Sequence, residues 1–193
     1  MRRRLFPGLI ALAVWLVVAA VLPAGAREPS IHKLGKRQFP LATTRLDARR
    51  KLLPVAYHLR ANYAWSVCEI EGLGLREFMA HSSIQSINDL PVETVLPEGL
   101  LCYLPRADRY HFTPCAVNEF NQIDGVNSWL RDIDTEFKIL ERLANLIPST
   151  NATGRIHMYT QLAPCASCHQ VMCDFLDRYP NVTLQVFYRE PYP

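Results

Sequence analysis

The pattern of apolar and polar positions divides the chain into an N-terminal apolar run, a mixed first half and a regular second half. Apolar residues recur at helical intervals over residues 45–70, and Pro54 is predicted to divide or kink this helical stretch. Residues 78–87 and 100–112 are predicted to be extended, with a proline- and glycine-containing turn between them. Residues 27–44 lack periodicity and are predicted to be a linker.

The second half is predicted to alternate between helices and strands. The elements are a helix from Asn127 or Ser128 to about Ile147, a strand at residues 155–161, a helix from about Cys165 to Tyr179 and a strand at residues 182–188. The first helix would carry one apolar stripe, formed by Trp129, Ile133, Phe137, Leu140, Leu143 and Ala144. Short links between these elements imply parallel strands joined by a right-handed crossover. We therefore expect one three-layered α/β domain with a mixed sheet.

The N-terminus has the pattern of a secretory signal peptide. Three arginines at positions 2–4 precede an apolar run from Leu9 to Leu22, and small residues follow up to Ala26. The run is shorter than the roughly 20 residues that a spanning helix needs, and no later segment is predicted to cross a membrane. We expect cleavage after Ala26, secretion, and a folded domain over residues 45–193.

Charge is unevenly distributed along the rest of the chain. Residues 27–62 contain nine Lys and Arg against two acidic residues, whereas residues 63–193 contain nine against 16. A basic segment of this kind can attract phosphate backbones, but a solvated helix face and a flexible leader explain it equally well.

The six cysteines of an exported chain favour disulfide bonds. Two of them, Cys165 and Cys168, are spaced to serve a metal ion instead. The remaining four, which are Cys68, Cys102, Cys115 and Cys173, allow three pairings, and the sequence does not choose among them.

Two short motifs carry the chemistry. Cys165 and Cys168 face the same way on a first helical turn, where free backbone amides favour thiolates, so both sulfurs can bind one ion. Asp134 at the start of the preceding helix is predicted to be a third ligand, which leaves a fourth position for water. Glu136 would be the unliganded carboxylate that moves protons. These are the parts of a hydrolytic zinc site, and they predict Zn²⁺ as the cofactor.

Zinc nucleobase deaminases have this arrangement with His where Asp134 stands here. Two thiolates and Asp134 leave the centre with a charge of −1, so we expect either a higher pH optimum or a compensating cation. Arg131, one turn before Asp134, is the candidate cation. The hypothesis fails if Arg131→Gln leaves the pH–rate profile unchanged.

The two motifs also carry a family resemblance. Residues 131–141 read RDIDTEFKILE, and they resemble the first active-site motif of the toxin-type deaminases in the cytidine deaminase-like superfamily. The most similar group is the one first described from Xanthomonas, whose first motif has Asp in the usual His position. The segment PCASC at residues 164–168, with the helix and turn after it, is similar to that group's second motif. The resemblance covers about residues 80–188.

The resemblance implies a cytidine deaminase-like fold, with zinc on Asp134, Cys165 and Cys168 at two helix N-termini and Glu136 as the proton shuttle. It implies hydrolytic removal of the exocyclic amine of cytosine or adenine, in single-stranded DNA, RNA or a free nucleotide. It also implies a toxin or effector with an immunity protein as a candidate partner. One departure is that such domains usually form the tip of a large exported toxin, whereas this chain is predicted to have its own signal peptide.

Other interpretations remain open. The protein could be a secreted effector that keeps the fold but binds a partner without catalysis. It could also be an exported thiol oxidoreductase, because a strand followed by Cys-x-x-Cys and a helix is the thioredoxin layout. Only 25 residues follow Cys168, which is too few to complete that fold.

Several other side chains are weaker candidates for the site. His81 lies on a predicted strand beside the pocket and is a candidate substrate contact. His157 could replace Asp134 as a ligand, whereas His169 is expected on another side of its helix. Tyr159 and Trp129 could stack on a base, although their spacing also fits the core.

Overall fold

A computed structural model describes residues 27–35 and 40–192 of the chain. The predicted signal peptide, residues 1–26, lies outside the described residues. The described elements are β1 (Ser30–Lys33), α1 (Pro40–Arg50), β2 (Tyr63–Ile70), β3 (Gly74–His81), β4 (Ala116–Val117), β5 (Trp129–Leu130), α2 (Thr135–Leu146), β6 (Gly154–Leu162), α3 (Ala166–Arg178) and β7 (Val182–Glu190). Short 3₁₀ turns lie at Val55–Tyr57, Ile87–Asp89 and Ala107–Arg109.

The main sheet has five strands in the order β1-β7-β6-β2-β3. β7 is parallel to both β1 and β6, whereas β2 is antiparallel to β6 and to β3. The sheet is therefore mixed, as predicted. A separate antiparallel ribbon pairs β4 with β5, and this ribbon lies close to the start of α3.

The sheet separates two apolar clusters, which makes the fold three-layered. Alternate residues of β2 point to opposite faces. Tyr63 and Trp65 join Leu46 of α1 in one cluster. Ala64 and Cys68 join the larger cluster, to which α2 and α3 contribute on the other face. The mixed α/β architecture is consistent with a cytidine deaminase-like fold.

The second half of the chain follows the predicted order closely. α2 ends at Leu146, just before Pro148, and β6, α3 and β7 lie within two residues of their predicted bounds. β6 and β7 are parallel, as the helical link between them requires. β6 can begin beside β2 only because residue 154 is glycine: a Cβ there would lie 2.5 Å from the backbone oxygen of Glu69.

The first half corrects three expectations. A helix was predicted over residues 45–70, but α1 ends at Arg50 and residues 63–70 form the strand β2. β2 is covered on both faces, so it lacks the polar–apolar alternation that would have identified it as a strand. The predicted linker at residues 27–44 contains β1 and the first residues of α1. Residues 100–112 form no regular strand, although Leu100 forms an isolated bridge with Met79.

The start of α2 is a further correction. The helix begins at Thr135, seven or eight residues later than its predicted cap at Asn127 or Ser128. Ser128 instead closes a turn by donating its backbone N–H to Gly125, and Asn127 has a positive φ of 59°. The apolar stripe is therefore shorter than predicted. Phe137, Leu140, Leu143 and Ala144 are buried, whereas Trp129 and Ile133 precede the helix and are exposed.

The predicted disulfide bonds do not form. All six cysteines, each within the described residues, are free thiols. Cys68 lies in the core, where burial raises the pKa of its thiol to about 12. Cys102 and Cys115 are only partly buried. Over the described part of the chain, none of the helices combines the length and the apolar character needed to cross a membrane.

Candidate metal centre and active-site pocket

Asp134 brings the start of α2 to the start of α3. It is the N-cap residue of α2, yet its side chain makes no capping hydrogen bond. The carboxylate points across to α3 instead, where Oδ2 lies 3.2 Å from the Sγ atom of Cys165 and 3.3 Å from that of Cys168. Both thiols donate to the same carboxylate oxygen, so three predicted ligands converge on one point.

The first turn of α3 holds the two sulfurs in place. Cys165 is the N-cap residue, and its Sγ accepts a hydrogen bond from the backbone N–H of Cys168 at 3.4 Å. The side chain of Asn121 accepts a hydrogen bond from the N–H of Ala166 at 2.7 Å. Cys165 and Cys168 are both buried. The predicted spacing thus places both thiols at the N-terminus of α3, where the positive end of the helix dipole favours thiolates.

The donor set fits a zinc ion. Asp134, Cys165 and Cys168 each offer one ligand atom, and these three atoms lie within 4.8 Å of one another. Burial raises the pKa of Asp134, and the contact with Cys165 together with burial raises the pKa of Cys168 well above its usual value. Such groups hold protons unless a cation replaces them. Two sulfurs and one carboxylate oxygen are ligands that Zn²⁺ accepts in tetrahedral sites with one open position.

Glu136 lies on the first turn of α2, next to the ligand cluster. Its side chain is buried, and its Oε2 accepts a hydrogen bond from the Thr135 hydroxyl at 2.7 Å. Oε1 accepts one from the Thr160 hydroxyl of β6 at 2.9 Å. Oε2 also lies 3.7 Å from the Sγ atom of Cys168. Burial and the neighbouring Asp134 raise the pKa of Glu136, which suits a group that must hold and release a proton.

Asn62 completes the support of Glu136. Its side-chain amide lies 2.9 Å from the Thr135 hydroxyl and 3.3 Å from Oε1 of Glu136. The side-chain oxygen Oδ1 of Asn62 accepts a hydrogen bond from the backbone N–H of Leu162 at 3.0 Å. Asn62 follows Ala61, whose φ of 60° is an unfavourable conformation for a residue with a Cβ. Strain of this kind is held by surrounding structure and concentrates at functional sites.

A pocket of about 450 Å³ opens over these groups. Asp134, Glu136 and Cys165 line it, together with Asn62. The other lining residues are Ala61, Ser82, Glu119, Trp129, Arg131, Leu162, Ala163 and Tyr192. This volume is in the range of sites that bind small molecules or single nucleotides. The candidate metal ligands and the candidate proton shuttle therefore share one open cavity.

One wall of the pocket is aromatic and cationic. The guanidinium of Arg131 lies 4.3 Å from the ring centroid of Trp129 and 5.6 Å from that of Tyr192. Arg131 also donates a hydrogen bond to the Tyr192 hydroxyl. Its charge lowers the pKa of Asp134, against the larger effect of burial, so Arg131 is placed to act as the predicted counter-charge. Its effect on catalysis stays a prediction.

The sequence singled out Asp134, Glu136, Cys165 and Cys168, and the structure brings all four together. His81 lies outside the pocket and is buried, with Nε2 near the backbone oxygens of Tyr57 and Arg60. The prediction that His81 contacts the substrate was therefore wrong.

The remaining candidates also lie elsewhere. The His157 ring lies edge-on to Phe187 rather than at the ligand cluster, and Tyr159 stacks between Trp65 and the same Phe187. His169 faces away from the site, as predicted, and contacts Glu28. Of the two aromatic candidates, only Trp129 lines the pocket.

Asn62, Thr160 and Tyr192 are the site residues that sequence reasoning missed. Asn62 and Tyr192 are far in sequence from the two motifs, whereas Thr160 lies four residues before Pro164. Strand pairing and the end of β7 bring all three to the pocket. Thr135 lies inside the first motif but was not assigned a role. The one sequence signal for these residues was Thr160, a polar residue on a strand that was predicted from apolar periodicity. The structure shows that Thr160 is buried.

Comparison with known proteins identifies the family. The model of the BURPS668_1122 family of toxin deaminases matches residues 47–190. The chain belongs to this family, whose reaction is hydrolytic deamination. The match confirms that the chain is a toxin-type deaminase. The matched region begins at residue 47, whereas the resemblance seen in the sequence began at about residue 80. Among the toxin-type deaminases, that resemblance pointed to the Xanthomonas group. No curated protein and no solved structure matches the chain at a significant level.

Proposed function

We propose that this chain is a secreted, zinc-dependent deaminase that removes the exocyclic amine of cytosine or adenine and acts as a toxin or effector. The observation that carries the proposal is the position of Asp134: its Oδ2 lies within 3.3 Å of both thiol sulfurs, while Glu136 lines the same pocket. Family membership supplies the reaction class, and the geometry supports the metal and the roles of the residues.

Asp134, Cys165 and Cys168 would hold the zinc ion. A zinc ion in a site of this kind would act as a Lewis acid that lowers the pKa of water, so that a strong nucleophile is available near neutral pH. Three protein ligands would leave a fourth position of the ion for water or substrate, as a hydrolytic site requires. The first turn of α3 and the cap of α2 fix the ligands, so the centre depends on the relative position of these two helices.

Glu136 would move the protons. Its carboxylate would take one proton from the attacking water and give it to the ring nitrogen. A second proton from the same oxygen would then pass through Glu136 to the amine, which leaves as ammonia. Thr135, Thr160 and Asn62 donate hydrogen bonds that fix its orientation. These donors are neutral, so they position the carboxylate without the strong lowering of its pKa that a paired cation would cause.

Trp129, Arg131 and Tyr192 would bind the substrate. A base can stack on an exposed aromatic side chain, and the guanidinium of Arg131 supplies positive charge for a nucleotide phosphate. The pocket is too small for a duplex, so the target base enters unpaired, from single-stranded nucleic acid or from a free nucleotide. Arg50 of the basic N-terminal segment is buried and donates to the backbone oxygens of Tyr57 and Arg60, so it contributes nothing to phosphate binding.

The test is sequencing of mixed single-stranded DNA and RNA pools after incubation with the zinc-loaded protein, beside Glu136→Gln. Base changes with the wild-type protein alone would establish the enzyme, its base and its sequence context together. Free nucleotides are assayed in parallel by ammonia release. Absence of turnover on all of these substrates, with zinc bound, would favour the secreted effector without catalysis. Insulin reduction that is lost in Cys165→Ser and kept in Glu136→Gln would favour the thiol oxidoreductase.

A further inference from the structure

A second cluster of ligand side chains lies on the outward side of α3, apart from the pocket. His169 and Cys173 are four residues apart on this helix, so they lie on the same face, and Glu28 reaches them from the N-terminal segment. Nε2 of His169 lies 3.0 Å from Oε2 of Glu28, and Sγ of Cys173 lies 3.7 Å from the same oxygen. One ligand atom from each residue can be chosen so that all three lie within 4.8 Å of one another.

We propose that Glu28, His169 and Cys173 bind a second zinc ion, which fastens the N-terminal segment to α3. An imidazole nitrogen, a thiolate and a carboxylate oxygen are together a zinc ligand set, and water completes the tetrahedron. One thiolate and one carboxylate balance the charge of Zn²⁺ with a neutral imidazole. The electrostatic match is therefore closer than at the pocket, where three anionic ligands leave a net charge of −1.

The surroundings of Cys173 favour a cation. The thiol is buried beside the carboxylate of Glu28, and Asp174 and Asp177 lie on the same helix. His169 is the third member of the cluster, and its side chain is 43% exposed. A divalent ion would replace the thiol proton and remove the repulsion between the thiolate and these carboxylates.

The position of the cluster indicates a structural role. Glu28 and Cys173 are 145 residues apart, and β1 begins two residues after Glu28. The backbone N–H of Arg27 also donates to Asp177 on the same helix, at 3.3 Å. A metal ion here would close a long loop of the chain, as a disulfide does, and all six cysteines are free. The site binds no substrate and does not depend on the deaminase reaction.

Zinc content of the purified full chain tests the proposal, after equilibration with zinc and removal of the loosely bound metal. We expect two zinc ions in the wild-type protein and one each in Cys173→Ser, His169→Ala and Cys168→Ser. The double variant Cys168→Ser/Cys173→Ser should hold none. Cys102→Ser and His157→Ala are controls that should keep both ions, because neither residue belongs to a ligand cluster within residues 27–35 and 40–192.

The outcomes separate this site from the one in the pocket. One zinc in the wild-type protein that is lost in Cys168→Ser overturns the second site and leaves the proposed function intact. One zinc that survives Cys168→Ser but is lost in Cys173→Ser supports the second site and removes the zinc from the proposed catalytic centre. Glu28→Gln keeps the shape of an exposed residue and should fold normally, so its zinc content tests the site without disturbing the core.

A stability measurement provides a second readout. In the Cys168→Ser background, added zinc should raise the thermal unfolding midpoint, because the ion binds the folded chain in preference to the unfolded one. The rise should disappear in Cys168→Ser/Cys173→Ser. An equal rise in both proteins would overturn the proposal, since it would show that zinc stabilises the chain elsewhere.

Discussion

The hydroxyl of Thr160 lies 2.9 Å from Oε1 of Glu136, so a strand in the middle of the sheet directly contacts the candidate proton shuttle. Thr160 is fully buried on β6, 24 residues after Glu136. The position of the carboxylate therefore depends on the packing of α2 against the sheet as well as on the helix itself.

We expect Thr160→Val to lower kcat about tenfold to a hundredfold, since a hydrogen bond to a charged group contributes roughly 1.5–3 kcal/mol. Valine has nearly the same shape, so the fold and the zinc content should be unchanged. Thr160→Ser keeps the hydroxyl and should retain most of the activity. Steady-state deamination rates at saturating substrate measure the effect, and equal kcat values for the valine variant and the wild type would contradict it.

We expect Trp129→Ala to raise KM about tenfold while kcat changes little. Base stacking on an aromatic side chain contributes roughly 1–3 kcal/mol, and Trp129 is exposed on the pocket wall. Trp129→Phe keeps an aromatic face and serves as the control. A loss confined to kcat in the alanine variant would show that the ring positions Arg131 rather than the substrate.

Removal of zinc with a chelator should abolish deamination while leaving the helices largely formed. The apolar cluster around Phe137 and Phe175 holds α2 and α3 on the sheet, so we expect the fold not to depend on the proposed metal ion. Readdition of Zn²⁺ should restore turnover. Circular dichroism and activity measured on the same samples check this, and simultaneous loss of helix signal and activity would refute the separation of fold from metal.

Protonation of His81 should destabilise the fold at acid pH. Burial and the nearby Arg50 lower the pKa of His81 to about 4. In the neutral ring, Nδ1 accepts a hydrogen bond from the N–H of Ser83 at 3.1 Å. Below its unfolded pKa near 6.5, the unfolded chain binds a proton that the folded chain excludes. Stability is therefore full above about pH 6.5 and falls towards pH 4, by about 2–3 kcal/mol from this group.

The measurement is urea unfolding at several pH values, for the wild-type protein and for His81→Asn. The variant should be less stable at pH 7, yet it should lose less stability between pH 6.5 and 4. His32→Asn, at an exposed residue on β1, should follow the wild-type curve. Parallel curves for wild type and His81→Asn would remove His81 as the cause.

The sequence predicted the parts of the molecule in which local signals agree. Over β6, α3 and β7, apolar periodicity, proline and turn residues all indicate the same elements, and the Cys-x-x-Cys motif fixes where α3 begins. The convergence of Asp134 with the two thiols was predicted from the residue types and spacing of the two motifs, together with the family resemblance that they carry.

The rest depended on tertiary contacts. β2 is buried on both faces, so its apolar residues fit a helical pattern as well as an extended one. The charged residues Lys138 and Glu141 of α2 are both buried. Lys138 donates hydrogen bonds to the backbone oxygens of His81 and Ile84. The partners of such residues are loops distant in sequence. Asn62 and Thr160 were missed for the same reason, since their roles exist only once the sheet has formed.

Tyr192 has a practical consequence. It follows β7, closes one wall of the pocket and is held by Arg131 and by the backbone oxygen of Asn118. Anything joined after this residue, whether a purification tag, a fluorescent reporter or a neighbouring domain, starts beside the entrance through which a base must pass. A label attached there would report substrate entry, and an antibody fragment that binds at Tyr192 would obstruct it.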